Sequence, residues 1–539
     1  MRTLFRWAAA AVGLTMLAGC TPYLPTSPTA SSSPATSAPA TGAASPSATA
    51  PAGAVITVSS VPGLEIDRPR LADPSVEPEG FADAPAGEGL AGYLDQRVRW
   101  STCAQEYQCA QILAPLDYAN PSEQAITLAL AKKPATKSPR LGTLFVNPGG
   151  PGASGRNLVT YFASAGLEQY DIVGWDPRGT NASTPVQCFD DEQTEAFTRL
   201  DSSPDDAAET EALIVGTYDF AQSCWQHSGR LLQHISTVDT VRDLDLMREL
   251  LGDKLLSYVG YSYGTQIGSY YADLFPQRVG RLVLDAAVDI TDDDSVIQAM
   301  GFDLALGNFA TWCARQGCTL GTSKDAVLKS ITDWLDRLDS APVEVGDRTL
   351  TQSLAAAGVA SYLYGGVPAW KSLSADLEAA MDGRGANLLK AADSLNDRNQ
   401  DGSFGSLFYS FPAIGCADGY DKGVTEAEQR WVADQKKAPI FGKYFGPGYT
   451  CPLWPVHSTI QFKPTGSGAA PIVVVGATGD PATPYQNAVT MAKQLKSGVL
   501  VTYEGEGHGT FGGKSTCVDA LVIDYLTKGT VPTDGVRCQ

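Results

Sequence analysis

The chain has 539 residues, with 39 Lys and Arg against 59 Asp and Glu, a formal net charge of −20, and 43% hydrophobic residues. The acidic balance and the lack of any basic run argue against nucleic acid and against electrostatic binding to anionic lipid. The length exceeds one compact core, so a main domain with an insertion is expected.

Residues 1–20 read as an export signal. Arg2 and Arg6 form a positive start, and Ala8 to Leu17 an apolar core too short to span a bilayer. The run Leu17-Ala18-Gly19-Cys20 resembles a bacterial lipobox, which implies that Cys20 becomes the first mature residue and carries lipid. Residues 21–64 are rich in Ser, Thr, Pro and Ala and hold no charge until Glu65. Such a segment cannot bury enough apolar surface to fold and reads as a tether. Past Cys20, ten cysteines remain, an even number that suits an oxidising compartment. Sequence nearness suggests Cys103–Cys109, Cys188–Cys224, Cys313–Cys318, Cys416–Cys451 and Cys517–Cys538. Metal ligation is the rival reading, but neither CxxC nor HExxH occurs and there are four histidines, so no metal is expected.

Trp100–Asp117 and Ala125–Ala131 look like an opening antiparallel pair. Leu141 to Val146 is a buried strand, followed by Asn147-Pro148-Gly149-Gly150-Pro151-Gly152-Ala153-Ser154-Gly155. Four glycines there leave backbone N–H groups free to face a ligand. A phosphate loop would need GxxxxGK[ST], and its lysine is missing. Tyr170–Trp175 is the next strand, and its loop holds Asp176 and Arg178, read as a structural pair. Val238–Leu251 has apolar residues at three-to-four spacing and predicts an amphipathic helix.

Leu255 to Val259 is an apolar strand that runs into Gly260-Tyr261-Ser262-Tyr263-Gly264, the G-x-S-x-G elbow. A serine in so tight a strand-to-helix turn projects its hydroxyl above the sheet. The flanking glycines leave room for strained backbone and close helix packing, and the helix N-terminus offers amides to a developing oxyanion. Ser262 is therefore the candidate nucleophile. Val279 to Ala287 is a further strand and carries Asp285 at its end.

From Thr291 to Gly468 helical periodicity dominates, as in Val327, Leu328, Ile331, Trp334, Leu335 and Leu338. This predicts a mainly helical cap. Asp397-x-Asn399-x-Asp401-Gly402 matches half of a calcium loop, but Phe408 stands where the bidentate Glu belongs, so an Asx-rich turn is the better reading. Ile472–Ala477 is a strand whose loop holds Asp480 and Thr483-Pro484, the latter pair read as helix N-cap and first turn. Gly498–Tyr503 is the last expected strand, and His508 lies in its glycine-flanked loop.

Elimination selects the general base. His227 and His234 lie before the serine in a polar, cysteine-linked stretch and His457 lies in the cap, which leaves His508. Asp480 and Asp285 both end strands where an imidazole could reach them. Asp480 gives the order Ser, Asp, His and is preferred, with Asp285 as the alternative. The amides of Tyr263 and of Gly149 or Gly150 are the expected oxyanion donors.

The motifs Asn147–Gly155, Trp175–Gly179, Gly260–Thr265, Ala413–Asp418 and Gly479–Pro484, in this order, resemble the secreted bacterial tripeptidyl aminopeptidases, a proline-iminopeptidase-like branch of α/β-hydrolase serine peptidases. The resemblance covers Trp100 to the C-terminus. It implies an α/β-hydrolase fold with a mainly parallel sheet and a large helical cap: core 65–290, cap 291–468, core 469–539. It implies the triad Ser262, Asp480 and His508 and removal of short peptides from free N-termini, with peptides or proteins as substrates and no cofactor. Contact with the membrane is expected through the lipid alone, on the outer cell surface. An esterase or lipase with the same triad is the alternative, and a non-catalytic peptide receptor a more distant one. Asp418 is one candidate carboxylate for a substrate ammonium; a structural cap or turn role is the other reading.

Overall fold

The computed structural model describes residues 64–67 and 78–539, apart from 292–293, 420–422 and 458–461, together with strand fragments Ser27–Pro28, Ala48–Thr49 and Val55–Thr57. Cys20 and the signal lie outside the described residues. An 11-stranded sheet organises the rest. In chain order its strands are β1 (Phe81–Ala82), β2 (Ser101–Ala104), β3 (Tyr107–Pro115), β4 (Ala125–Lys133), β5 (Gly142–Asn147), β6 (Tyr170–Trp175), β7 (Leu256–Tyr261), β8 (Val279–Asp285), β9 (Ile472–Gly479), β10 (Gly498–Glu506) and β11 (Val536–Cys538).

Across the sheet the order is β11-β10-β9-β8-β7-β5-β6-β4-β3-β2, with β1 paired to β4. From β11 to β6 every pairing is parallel, and β1 to β4 join antiparallel. The parallel strands are near-continuous apolar runs because helices cover both faces. Helices α1 (Gly155–Tyr161) and, later, α13 (Thr516–Lys528) bury Leu158, Val159, Val518 and Val522 on one face. Between β6 and β7 come α2 (Ala207–Leu232) and α3 (Thr237–Leu250). The elbow helix α4 (Tyr263–Leu274) joins α3 on the opposite face, where Val241, Leu244 and Ile267 are buried.

Between β8 and β9 lies the cap. Its main helices are α5 (Gln298–Gln316), α6 (Lys324–Ser340), α7 (Gln352–Tyr364), α8 (Val367–Met381), α9 (Ala386–Leu395), α10 (Ser406–Asp418) and α11 (Val424–Lys437). Much of it has its own core, built on Phe309, Trp334, Leu335, Val359 and Leu373. Helix α12 (Tyr485–Gln494) follows β9.

Several details differ from expectation. The cap contains a hairpin, Val343–Val345 with Arg348–Leu350. The α2 excursion, read with the first core segment, packs into the cap: Phe220 meets Phe408 and Trp454, and Glu195 pairs with Arg348 and Arg398. Asp176 and Arg178 do not pair with each other. The Arg178 guanidinium grips Asp243 with two 2.7 Å bonds, while Asp176 pairs with Arg156 and accepts from Ser154 Oγ. Beyond β10 the short edge strand β11 extends the sheet. All five cysteine pairs are disulfides: Cys103–Cys109, Cys188–Cys224, Cys313–Cys318, Cys416–Cys451 and Cys517–Cys538. No helix among the described residues is long and apolar enough to cross a membrane.

Candidate functional site

β7 ends at Tyr261 and α4 begins at Tyr263, so Ser262 alone makes the turn. It does so at φ 54°, ψ −127°, a conformation L-residues rarely hold. What holds it is the close approach of its neighbours. A Cβ at Gly260 would lie 2.3 Å from the Gly264 carbonyl oxygen, and one at Gly264 would lie 2.9 Å from that of Asn147. The Ser262 N–H donates to the Asp285 carbonyl at 3.0 Å, and its own carbonyl accepts from Thr265 N–H and Oγ1.

The glycine loop after β5 reaches the elbow. A Cβ at Gly149 would stand 2.9 Å from both Ser262 Cβ and the Tyr263 nitrogen. The Gly149 N–H, however, donates to Asn147 Oδ1 at 2.9 Å. Of the two expected glycine donors this leaves the N–H of Gly150, the next residue of the same loop.

Two strands away, Asp480 follows β9 and is buried. Its carboxylate meets His508 Nδ1 at 2.9 and 3.0 Å, and Oδ1 also accepts the Ala482 and Thr483 N–H groups at 2.9 Å. Those amides fix the carboxylate, and the carboxylate fixes which imidazole nitrogen carries its proton. In sequence, Thr483 before Pro484 suggests a helix cap. The structure makes Pro484 the N-cap and brings Thr483 Oγ1 to 3.3 Å from His508 Nδ1. A threonine just before Pro484 has an ordinary capping explanation in sequence, so only the fold exposes this contact.

Asp285 does not meet the imidazole. Its buried Oδ2 accepts the N–H groups of Thr510 at 2.8 Å and Phe511 at 2.6 Å, and Oδ1 has no partner. Burial pushes its carboxyl up to about 6, against those two amides. It anchors the loop that carries His508. Elsewhere, His227 Nδ1 bonds the Ser223 carbonyl within α2, and His234 Nδ1 lies 3.9 Å from Asp117. Of the His457 side chain nothing is described.

The calcium reading also resolves. Asp397 Oδ2 accepts the Leu407 N–H at the start of α10, and Asp401 Oδ1 accepts from Ser403, so the segment is a turn and a helix cap. Among the described residues, Asp201, Glu209 and Asp339 are the acidic group close enough to share an ion, and they lie outside that loop.

A parallel sheet flanked by helices, a strained serine elbow and an Asp–His pair on the next loops define an α/β-hydrolase of the serine hydrolase class. Comparison with known proteins agrees. Residues 438–538 match the family described as TAP-like protein. The chain is 36% identical to Serine protease Hip1 of Mycobacterium tuberculosis, covering 83% of this chain and 91% of that one. It is 34% identical to Carboxylesterase B of the same species, over 88% and 95% of the two chains. It is 29% identical to Tripeptidyl aminopeptidase of Streptomyces lividans, over 86% and 89%. The chain belongs to the tripeptidyl aminopeptidase-like family of α/β-hydrolase serine peptidases.

Proposed function

We propose that this protein is a serine exopeptidase that removes short peptides, tripeptides by analogy with the Streptomyces relative, from free amino termini. The observation that carries the reading is the Asp480–His508 pair, set on the loops beside the Ser262 elbow and beneath a cap. In this reading Ser262 Oγ attacks the scissile carbonyl carbon as His508 Nε2 takes its proton. The N–H groups of Tyr263 and Gly150 receive the oxyanion, a contribution of about 3–4 kcal/mol per donor. The C–N bond breaks, His508 hands its proton to the leaving amine, and Asp480 stabilises the imidazolium meanwhile. Water, deprotonated by His508, then releases the acyl group and restores Ser262.

A cap over the sheet edge obstructs a through-running chain and favours chain ends. The acidic protein attracts the cationic end. The test compares a tripeptide-anilide with its N-acetylated form. Acetylation is expected to lower kcat/KM by roughly tenfold or more, the cost of leaving a charge-reading site unpaired. Equal cleavage, or cutting inside an N-blocked long peptide, would make the enzyme an endopeptidase or general amidase. Ser262→Ala should leave a folded protein that a fluorophosphonate no longer labels, with activity down by several orders of magnitude, roughly as for other nucleophile knockouts.

Ester hydrolysis is the second reading, favoured by the relative named Carboxylesterase B. Peptide and ester substrates of matched acyl group separate the two. We also propose that Cys20 carries lipid and holds the enzyme on the outer cell surface through the tether. The support is the lipobox-like run before Cys20. Unchanged membrane fractionation of Cys20→Ser would overturn that.

A further inference from the structure

Helix α10 runs from the glycine loop to the elbow helix α4. Near its start, Leu407 and Ser410 meet the glycine loop: a Cβ at Gly150 would lie 3.1 Å from Leu407 Cδ1, and one at Gly152 would lie 2.1 Å from Ser410 Oγ. At its end, Asp418 Oδ2 accepts from Gln266 Nε2 at 3.2 Å. Gln266 stands one turn past Ser262 on α4. The helix is therefore pinned on both sides of the nucleophile.

Residues 407, 411, 415 and 418 fall on one stripe of α10, since positions three and four apart share a helix face. Between the pinned ends that stripe is open. Phe411 is 52% exposed, and a Cβ at Gly415 would meet nothing within 4 Å. Phe411 therefore offers apolar surface on the same stripe as the two pinned ends.

Asp418 closes the stripe. Its half-buried carboxylate takes neutral donors only: the Thr237 N–H at 2.8 Å, Thr237 Oγ1, and Gln266 Nε2. Among the described residues no Lys, Arg or His lies within ion-pair distance of it, and the other charge that bears on it is the acid Asp239. A poorly solvated carboxylate held by neutral donors gains from an incoming cation that is itself losing water. The spacing suits a short peptide. From Phe411 to Asp418 the helix rises about 10 Å, at roughly 1.5 Å per residue. Three extended residues span about the same.

We infer that Asp418 receives the substrate's α-ammonium and that the Phe411–Gly415 stretch of α10 sets how many residues lie between it and Ser262. This rests on the exopeptidase reading above and names its specificity site.

The experiment measures kcat/KM for Ala-Ala-Ala-anilide and its N-acetyl form with the wild type, Asp418→Asn and Gly415→Leu. Asp418→Asn should lose roughly tenfold or more on the free amine and stay within about threefold on the acetylated substrate, so that discrimination vanishes. A wild type that does not discriminate would overturn the exopeptidase reading itself. A discriminating wild type whose preference survives in Asp418→Asn would overturn the Asp418 assignment alone, and so would equal losses on both substrates. Gly415→Leu adds bulk where the fold has room and leaves Asp418 in place. It should move the preference from tripeptide- to dipeptide-anilide, and it decides the matter if Asp418→Asn does not fold. An unchanged length preference would overturn the role given to α10.

Discussion

The main-chain carbonyl of Tyr364, at the end of cap helix α7, accepts the His508 N–H at 2.9 Å, and its ring meets the imidazole edge-on with centroids 5.3 Å apart. The cap is thus built onto the loop of the candidate base. The same junction is tight at two other points. A Cβ at Gly366 would lie 2.8 Å from the Glu506 carbonyl oxygen, and one at Gly301 would lie 2.5 Å from that of Pro481. A cap lifting as a whole would pull His508 away from Asp480.

Gly366→Ala tests that junction. The residue has φ +63°, so a side chain there is strained as well as crowded by the Glu506–Gly507 backbone. The expected result is a folded enzyme whose kcat falls roughly tenfold or more, because shifts well below 1 Å at a catalytic loop are costly. Full activity with unchanged stability would show that the cap does not position His508.

Asp480→Asn and Asp285→Asn should differ sharply. At 480 the change removes the charge and turns one of the two oxygens facing His508 Nδ1 into an NH2 donor, which favours the wrong imidazole tautomer, with an expected loss on the order of 10⁴-fold. At 285 an amide oxygen can still accept the Thr510 and Phe511 N–H groups, so a loss of about tenfold is expected, one of loop placement. The reverse ranking in kcat/KM would move the acid to β8.

Thr483→Val keeps the shape and removes the hydroxyl that lies 3.3 Å from His508 Nδ1. One neutral hydrogen bond is worth about 0.5–1.5 kcal/mol, so kcat should fall by roughly two- to tenfold with little change in KM. An unaltered kcat would leave Thr483 a bystander.

The sequence showed those features that local rules enforce. The runs Leu141–Val146 and Ile472–Ala477 are apolar throughout because both faces of their strands are buried, and the elbow glycines stand where a Cβ has no room. With four histidines in the chain, position alone singled out His508. Long-range partnerships were not legible. Arg178 finds Asp243 rather than its near neighbour Asp176, and Thr483 turns to a residue 25 positions away. The Gly149 amide is used by a side chain two residues earlier, which glycine content alone does not reveal. The edge strand β11 is three residues long, too short for any periodicity to show.

Stability should depend on pH in a direction set by three carboxyl groups. Burial raises Asp285 and Asp397 to about 6 and Asp418 to about 7, each from an ordinary 3.8. Between about pH 4 and 7 the folded chain therefore holds protons that the unfolded chain has released. The unfolded state binds fewer protons in that window, so stability falls as pH rises through it and levels off above. Lowered Glu195 and Asp117 act in the opposite sense only at the acid end of this window, and the buried imidazole of His234, lowered from 6.5, opposes the decline within it as one group against three. The midpoint of thermal unfolding should thus be higher at pH 5 than at pH 8. Asp397→Asn isolates one contribution away from the serine. Asn tolerates the positive φ of 56° there, and its amide oxygen can keep the Leu407 N–H bond. The variant should lose part of the decline between pH 5 and 8 and match or exceed the wild type at pH 8. A wild-type midpoint that rises from pH 5 to 8, or a variant whose slope is unchanged, would remove buried carboxyl titration as the cause.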